Sequence, residues 1–202
     1  INRGAILANG IYDNISATGL RIGLDGGMGV LVEGGLLNSG TVTAVAFDAD
    51  ASGVLLDAGA DVQEINNEGI VRAIVTGDEV FDVVGFDIRA GALLSVFDNG
   101  GVITALSTGE NGNAYAIRDA SGALTSLTNT GFIEAYVRAT DDDDDDDDDN
   151  TDIGDEVITG RAVAIDVSAN TTGVTLIQDG LTDGDDGADT IADPDADGDG
   201  VD

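Results

Sequence analysis

The sequence contains no Cys, no His, no Trp and no Lys, and it contains a single Pro. Without His, Cys and Lys there is no imidazole base, no thiol nucleophile and no side-chain amine for catalysis. The absence of Cys also removes any disulfide pattern that would indicate a redox compartment. Paired carboxylates, which carry out glycoside hydrolysis, are the catalytic chemistry that these absences leave open.

Aromatic residues and long apolar runs are also scarce. Only 4% of residues are aromatic, whereas 42% are hydrophobic and 30 of the 202 are Gly. A core built from this composition has to use Val, Ile, Leu and Ala in thin layers. No apolar run approaches the roughly 20 residues of a membrane-spanning helix, so we expect no membrane insertion by this segment.

Charge of one sign is almost missing. Seven basic residues, all Arg, face 40 acidic residues, which gives a net charge of −33. Binding to nucleic acid depends on Lys and Arg that neutralise phosphates, and anionic membrane surfaces need the same residues. The composition therefore excludes both partners and favours divalent cations.

A repeated motif of the form N-x-G-x-[IV]-x-A is the main positive feature of the chain. It begins at Asn2, Asn38, Asn67, Asn99 and Asn129, with spacings of 36, 29, 32 and 30 residues. We expect the Asn to form turns through left-handed backbone angles or main-chain hydrogen bonds, and the Gly to supply positive φ. A fixed period of this length is typical of a repeat architecture in which each unit is stabilised by its neighbours.

Alternation of apolar and polar residues within each repeat predicts short strands with one buried face. In NTGFIEA, for example, Ile133 and Ala135 are expected inside, and Phe132 and Glu134 outside. No helical stripe persists, and Gly, Val, Ile and Thr disfavour helix. The sequence therefore predicts an all-β fold, a right-handed parallel β-helix (β-solenoid) with coils of about 30 residues and three short strands per coil; the alternative is a β-sandwich.

A second block precedes most copies of the motif, and it places acidic residues at regular intervals. We align AVAFDADASG from Ala44 with VVGFDIRAG from Val83, AYAIRDASG from Ala114 and AVAIDVSAN from Ala162. A ladder of carboxylates suits a turn role better than catalysis, which needs one pair. Arg89 and Arg118 are expected to offset these stacked carboxylates, which are Asp48, Asp50, Asp87, Asp119 and Asp166.

Nine consecutive aspartates interrupt the repeat. The spacing from Ile117 to Ile165 is 48 residues, against 31 from Phe86 to Ile117, and the excess matches an insertion at residues 140–156. Solenoids tolerate insertions at turns because loop entropy grows slowly with length. We therefore expect a β-solenoid domain over residues 1–180 with an acidic loop at 140–156, and an acidic tail or linker at 181–202. The loop is also a candidate cation site, with Asp141, Asp143, Asp145, Asp147 and Asp149 as ligands.

The acidic tail has the spacing of a calcium loop. Alternate carboxylates followed by Gly let several oxygens turn towards one hard cation, and Ca²⁺ takes six to eight such oxygens. The stretch DPDADGDGVD resembles a thrombospondin type-3 repeat, and a solvated acidic linker is the alternative. Just before it, DDGADTI resembles half of an RTX nonapeptide, with Asp185 and Asp189 as candidates. The expected Ca²⁺ ligands in the tail are Asp193, Asp195, Asp197, Asp199 and Asp202.

The repeat units themselves, such as NSGTVTA and AYAIRDASG, resemble the passenger regions of bacterial autotransporters and related surface adhesins. The resemblance covers roughly residues 1–180. It implies secretion, a parallel β-helix, and a location outside the cell or on the surface of a Gram-negative bacterium. The membrane barrel that completes autotransporters is not in this sequence.

The function that these observations favour is structural rather than enzymatic. We expect an extracellular structural or adhesive β-solenoid segment that is stabilised or cross-linked by Ca²⁺. The chain begins with the last strand of a coil, which predicts either head-to-tail self-association into filaments or continuation in a longer passenger. The alternative is a polysaccharide-binding or polysaccharide-cleaving β-helix, for which Tyr12, Tyr115 and Tyr136 are few.

Overall fold

The computed structural model of the chain describes residues 1–24, 26, 29–138 and 158–179. Within these ranges the chain forms sixteen β-strands and no helix, and every strand pairing is parallel. The strands form three sheets, and successive strands of the chain enter the three sheets in turn. The predicted β-solenoid with three strands per coil is thus confirmed.

Sheet 1 contains the strands that begin just after the N-x-G motifs. Its order follows the chain, β1-β5-β8-β11-β14. Its strands are β1 (Ala5–Asp13), β5 (Thr41–Phe47), β8 (Ile70–Thr76), β11 (Val102–Thr108) and β14 (Phe132–Arg138).

Sheet 2 follows sheet 1 around each coil and has the order β2-β6-β9-β12-β15. Ile117 pairs with Ile165 across the nine-aspartate insertion, as the spacing predicts. The strands are β2 (Ala17–Ile22), β6 (Ala51–Leu56), β9 (Asp82–Ile88), β12 (Asn113–Asp119) and β15 (Ala162–Asp166).

Sheet 3 closes each coil, and its strands end on the motif asparagines. In the first coil this side is divided into two short strands, both of which pair with β7. The strands are β3 (Val30–Val32), β4 (Leu36–Asn38), β7 (Ala60–Asn67), β10 (Leu93–Asn99), β13 (Ser126–Asn129) and β16 (Thr175–Gln178).

The core runs along the inside of the stack and is made mainly of Val, Ile, Leu and Ala, with a few Phe. In β11, Ile103 and Ala105 are fully buried, and in β14 their partners Ile133 and Ala135 pack on the same core, as predicted. Phe86 and Phe97 meet edge to face with ring centroids 4.8 Å apart. Each coil is only one strand thick along the stack, so its apolar side chains are covered only when coils pack on both sides of it.

The alignment of the second sequence block is wrong at one copy. Ala44–Phe47 lies in β5 of sheet 1 and pairs with β8, whereas Val83, Ala114 and Ala162 lie in sheet 2. The true counterpart of Val83 in the earlier coil is Ala51. The misalignment arises because strands of all three sheets show the same alternation, so the pattern alone does not distinguish them.

Candidate functional site

The predicted calcium ligands lie outside the described residues. This holds for the tail aspartates 193, 195, 197, 199 and 202, for the pair 185 and 189, and for 141, 143, 145, 147 and 149 of the insertion. Among the described residues there is no group of three or more Asp or Glu placed to hold a metal ion. The Ca²⁺ sites therefore stay predictions from the sequence.

A ladder of amide side chains runs through the whole stack. Asn38 Nδ2 donates to Asn67 Oδ1 at 2.7 Å, Asn67 Nδ2 to Asn99 Oδ1 at 2.7 Å, and Asn99 Nδ2 to Asn129 Oδ1 at 2.7 Å. Asn2 begins the described ladder by donating to Asn38 at 2.8 Å. All donors point the same way along the solenoid, so the ladder has a direction.

The last described member of the ladder is a Gln. Asn129 Nδ2 donates to Gln178 Oε1 at 2.9 Å, and these two residues are also partners in the strand register. In the sequence Gln178 opens Q-D-G, which has the spacing of N-x-G with Gln in place of Asn. A search that allowed either amide would have found this copy.

The motif asparagines have one of the two expected backbone roles: side chains such as those of Asn67 and Asn129 form hydrogen bonds with the main chain two residues on, but none of these asparagines has a left-handed φ. Among the described non-Gly residues only Asn14 and Asp48 have positive φ. All the motif asparagines except Asn2 are buried, and Asn99 Nδ2 also donates to the Gly101 carbonyl at 3.2 Å. Their amides bond each other because burial makes an unpaired polar group costly.

All the motif glycines except Gly4 are required by close packing rather than by positive φ. A Cβ on Gly69 would lie 2.1 Å from the carbonyl oxygen of Gly40, and a Cβ on Gly101 would lie 2.1 Å from that of Gly69. None of the five motif glycines is in the positive-φ region. Gly is therefore needed where one coil's backbone touches the next.

A cluster of carboxylates and arginines lies along sheet 2, and two of its carboxylates, Asp57 and Asp87, are buried. Asp87 is 1% exposed and is paired with Arg118, whose Nε lies 3.0 Å from Oδ1, and with Arg89, whose Nε lies 3.1 Å from Oδ2. Arg118 also binds Asp82, with 2.6 Å between the paired atoms. Arg89 and Arg118 thus offset a carboxylate of the second block, as expected, but the carboxylates themselves do not stack, because Asp87 lies between Leu55 and Arg118 in the register and Asp119 lies beside Ile88.

The neighbouring coil repeats this pairing with different residues. Arg21 donates to Asp57, which also accepts the Ala58 backbone N–H at 3.0 Å. Burial raises the pKa of the Asp57 carboxyl, but these hydrogen bonds and the charges of Arg21 and Arg89 outweigh it and hold the pKa below the ordinary value. Asp57 therefore stays ionised, and it lacks the proton that a general acid has to donate.

Other recurring aspartates have the predicted turn role. Asp48 Oδ1 accepts the Asp78 backbone N–H at 3.1 Å, and Asp50 Oδ1 accepts that of Asp82 at 2.9 Å. Asp166 Oδ1 accepts the Ser168 N–H at 2.9 Å, and this bond, ahead of the nearby arginines, lowers the pKa of the Asp166 carboxyl. These carboxylates stabilise turns between strands.

Asp119 is the most enclosed of these aspartates. Its Oδ1 accepts hydrogen bonds from the Ser121 hydroxyl at 2.6 Å and the Ser121 and Gly122 backbone N–H groups. Its Oδ2 is buried without a hydrogen-bond partner among the described residues, and the side chain occupies a position aligned with Ile88. At 1% exposure it is out of reach of a polymeric substrate.

The tyrosines considered as a sugar platform separate into different environments. Tyr115 is 4% exposed and lies under Arg118 and Arg161, whose guanidinium carbons are 5.0 and 5.4 Å from its ring centroid. Its hydroxyl accepts hydrogen bonds from Arg161 at 2.9 and 2.6 Å. Tyr136 is exposed on the outer face of sheet 1, so these two residues do not form one surface.

A shallow groove of about 360 Å³ surrounds Tyr136 on that face. Arg72, Thr104, Glu134 and Arg138 contribute to its lining. A second groove of about 400 Å³ lies over the charged cluster of Asp57, Asp87, Arg89 and Arg118, whose carboxylates are already ion-paired. Neither groove presents the two free carboxylates that glycoside hydrolysis requires.

Comparison with protein-family models, with curated proteins and with solved structures finds no match for this chain. In the part of the chain that the structure describes, no helix is long and apolar enough to cross a membrane. The resemblances to autotransporter passengers and to a thrombospondin type-3 repeat therefore remain inferences from the sequence.

Proposed function

We propose that this chain is a non-enzymatic extracellular segment, a structural or adhesive β-solenoid that Ca²⁺ stabilises or cross-links. The observation that carries the proposal is the use of recurring polar groups within the stack. The motif asparagines bond one another from coil to coil, and the buried carboxylates Asp57 and Asp87 are paired with Arg. Such groups hold the coils together, which supports a structural role.

The proposed place of action follows from the sequence resemblance. Passenger-like repeats imply display on, or release from, the surface of a Gram-negative bacterium. An elongated stack of parallel coils suits such a role because its length grows with each added coil while the core stays continuous.

The proposed role of Ca²⁺ rests on the large negative charge of the chain. A chain with net charge −33 repels itself and its copies, and bound divalent cations relieve that repulsion. The tail aspartates have the alternate spacing that Ca²⁺ uses. Ca²⁺ would then stabilise each chain and link neighbouring ones.

Head-to-tail continuation is the partner interaction that we propose. β1, β2 and β3 form one end of the described sheets, and β14, β15 and β16 form the other. Each of these strands pairs on one side only among the described residues, and parallel strands allow a further coil to be added in the same register. The directional amide ladder supports this, because Gln178 has amide hydrogens to donate to a following acceptor. That coil belongs either to a second copy or to a longer passenger.

Negative-stain microscopy with Ca²⁺ and with EDTA tests the proposal. We expect fibres or elongated assemblies in Ca²⁺ that dissociate in EDTA. Calorimetric titration with Ca²⁺ should show binding that the triple variant D193N/D195N/D197N loses. The control is D61N/E64Q/D98N, which removes the same number of charges from sheet 3. Monomers that ignore chelation and that cleave or bind a glycan would instead support the polysaccharide function.

A further inference from the structure

The outer face of sheet 1 differs in charge from the rest of the molecule. Strands β5, β8, β11 and β14 each present four side chains outwards, alternating with buried ones. Glu134 is the only carboxylate at these positions, and Arg72 and Arg138 are the only bases. On β1, the exposed Asp13 is aligned with Phe47, so the outer face of the five-stranded sheet is close to neutral on a chain whose net charge is −33.

The same face also exposes apolar side chains. About half of its outward positions carry aliphatic or aromatic side chains, among them Phe47, Ile70, Phe132 and Tyr136, which are 37–44% exposed. Sheet 3 also exposes apolar side chains, such as Leu93 and Leu176, but its outer positions include three acidic residues, Asp61, Glu64 and Asp98. Contiguous apolar surface of this kind on a soluble protein marks an interaction site.

The register makes this face complementary to itself. Arg72, Thr104 and Glu134 occupy one column across β8, β11 and β14. A twofold axis through Thr104, parallel to the strands, reverses the order of the strands and keeps each column in place. Arg72 of each copy then lies opposite Glu134 of the other, which gives two such pairs. Ile70 of each copy likewise lies opposite Phe132 of the other.

From these observations we propose that the outer face of sheet 1 is a lateral self-association surface, which packs face to face on a second copy of this chain. Two copies with net charge −33 repel each other over acidic surfaces, and this face brings few carboxylates together. Within one copy Arg72 and Glu134 are two strands apart, roughly 9.6 Å, and they form no ion pair. Pairing between copies gives each charge a partner.

The size of the face sets the expected strength. With the axis at β11, only β8, β11 and β14 of each copy lie opposite one another, and three strands at about 4.8 Å and seven residues at about 3.3 Å give a footprint of roughly 330 Å² per copy. This is below the size of a standard specific interface, which buries about 1,200–2,000 Å² in total. The dimer should therefore be weak, with a dissociation constant on the order of hundreds of micromolar, and it should strengthen with salt as the net repulsion is screened.

Lateral self-association through sheet 1 requires neither Ca²⁺ nor the proposed filament. We therefore test it in EDTA, where Ca²⁺-dependent assembly is absent. Sedimentation velocity of the full chain over a range of concentrations measures the dimer. Arg72→Glu places a carboxylate opposite Glu134 of the other copy and should weaken the dimer roughly tenfold or more. Glu134→Arg should weaken it similarly, because it places two guanidinium groups opposite each other. The double variant R72E/E134R, in which the pair is exchanged, should restore association.

A second pair of variants tests the apolar contact. Ile70→Glu adds a carboxylate to this face, and Leu93→Glu adds one at a similarly exposed position of sheet 3. We expect Ile70→Glu to give monomers and Leu93→Glu to dimerise like the wild type, with circular dichroism confirming that both are folded. A wild-type chain that stays monomeric at 300 mM salt, equal behaviour of the two variants, or no rescue by R72E/E134R would overturn the inference. So would a monomeric chain that binds an anionic glycan through Arg72, since the face would then be a glycan site.

Discussion

Asn67 and Asn99 lie one coil apart, and a 2.7 Å hydrogen bond joins the Nδ2 of Asn67 to the Oδ1 of Asn99. Asn99 passes the same bond on to Asn129, also at 2.7 Å. Each buried amide is thus both donor and acceptor, so its neighbours on both sides depend on it. Two adjacent turns of the solenoid are coupled by a side chain that, from sequence alone, has only a turn role.

Removing one amide from the middle of the ladder should therefore cost more than one hydrogen bond. We expect Asn99→Ala to lower the free energy of unfolding by about 2–5 kcal/mol, because the amide of Asn67 loses its acceptor and that of Asn129 loses its donor, both in buried positions. The control is Asn66→Ala, at a half-exposed position outside the ladder. Urea unfolding followed by circular dichroism measures both, and equal effects of the two substitutions would contradict a coupled ladder.

The motif glycines provide a second test with an internal control. Gly69→Ala would place a Cβ 2.1 Å from the Gly40 carbonyl oxygen, whereas a Cβ on Gly4 would meet nothing within 4 Å. We expect Gly69→Ala to destabilise by about 3 kcal/mol or more, since backbone has to move, and Gly4→Ala to be nearly neutral. Thermal unfolding of the two variants should differ clearly; similar midpoints would mean that the coils are less closely stacked than this.

The Arg21–Asp57 pair predicts a specific response to acid. Because the folded-state pKa of Asp57 is lowered, its contribution to stability is complete above the unfolded value of about 3.9 and is lost as pH falls below that value. Arg21→Gln should reduce stability at pH 7 and make the loss of stability below about pH 4 shallower. Arg3→Gln, which removes the same charge from an exposed residue, should leave the loss of stability below about pH 4 unchanged. If Arg21→Gln also left it unchanged, the Arg21–Asp57 pair would not have this role.

Arg118 holds the most buried of the paired carboxylates through two nitrogens. Its Nε and Nη2 lie 3.0 and 3.2 Å from the two oxygens of Asp87. Arg118→Met should destabilise by about 3–5 kcal/mol because it leaves a buried carboxylate with the half-exposed Arg89 alone. Arg118→Lys should recover part of this loss, because it restores the charge without the planar fork. Chemical unfolding measures both, and a Lys variant no better than Met would mean that the fork alone matters.

Much of the fold could be predicted from the order of residues along the chain. The period of the N-x-G motif and the alternation around Ile133 and Ala135 correctly predict stacked coils with an apolar interior, because both follow from strand geometry. The pairing of Ile117 with Ile165 could also be predicted, since an inserted loop changes the spacing without changing the register.

Other features could not be predicted from the pattern. Ala44–Phe47 resembles the strands of sheet 2 but lies in sheet 1, because alternation is the same in every sheet. The groups that occupy the charged cluster also come from different coils, since Arg118 reaches back across the stack to Asp87 and Asp82. Only the three-dimensional register brings such residues within bonding distance.

The repeat, the strand periodicity and the excess of negative charge follow from residue order and composition alone. What the repeated residues do depends on the folded arrangement of the coils. It turned the motif asparagines into an amide ladder and the motif glycines into points of backbone contact, because coils stacked in parallel register place identical positions directly above one another. It also places Arg72 and Glu134 in one column on the outer face of sheet 1, which carries few carboxylates.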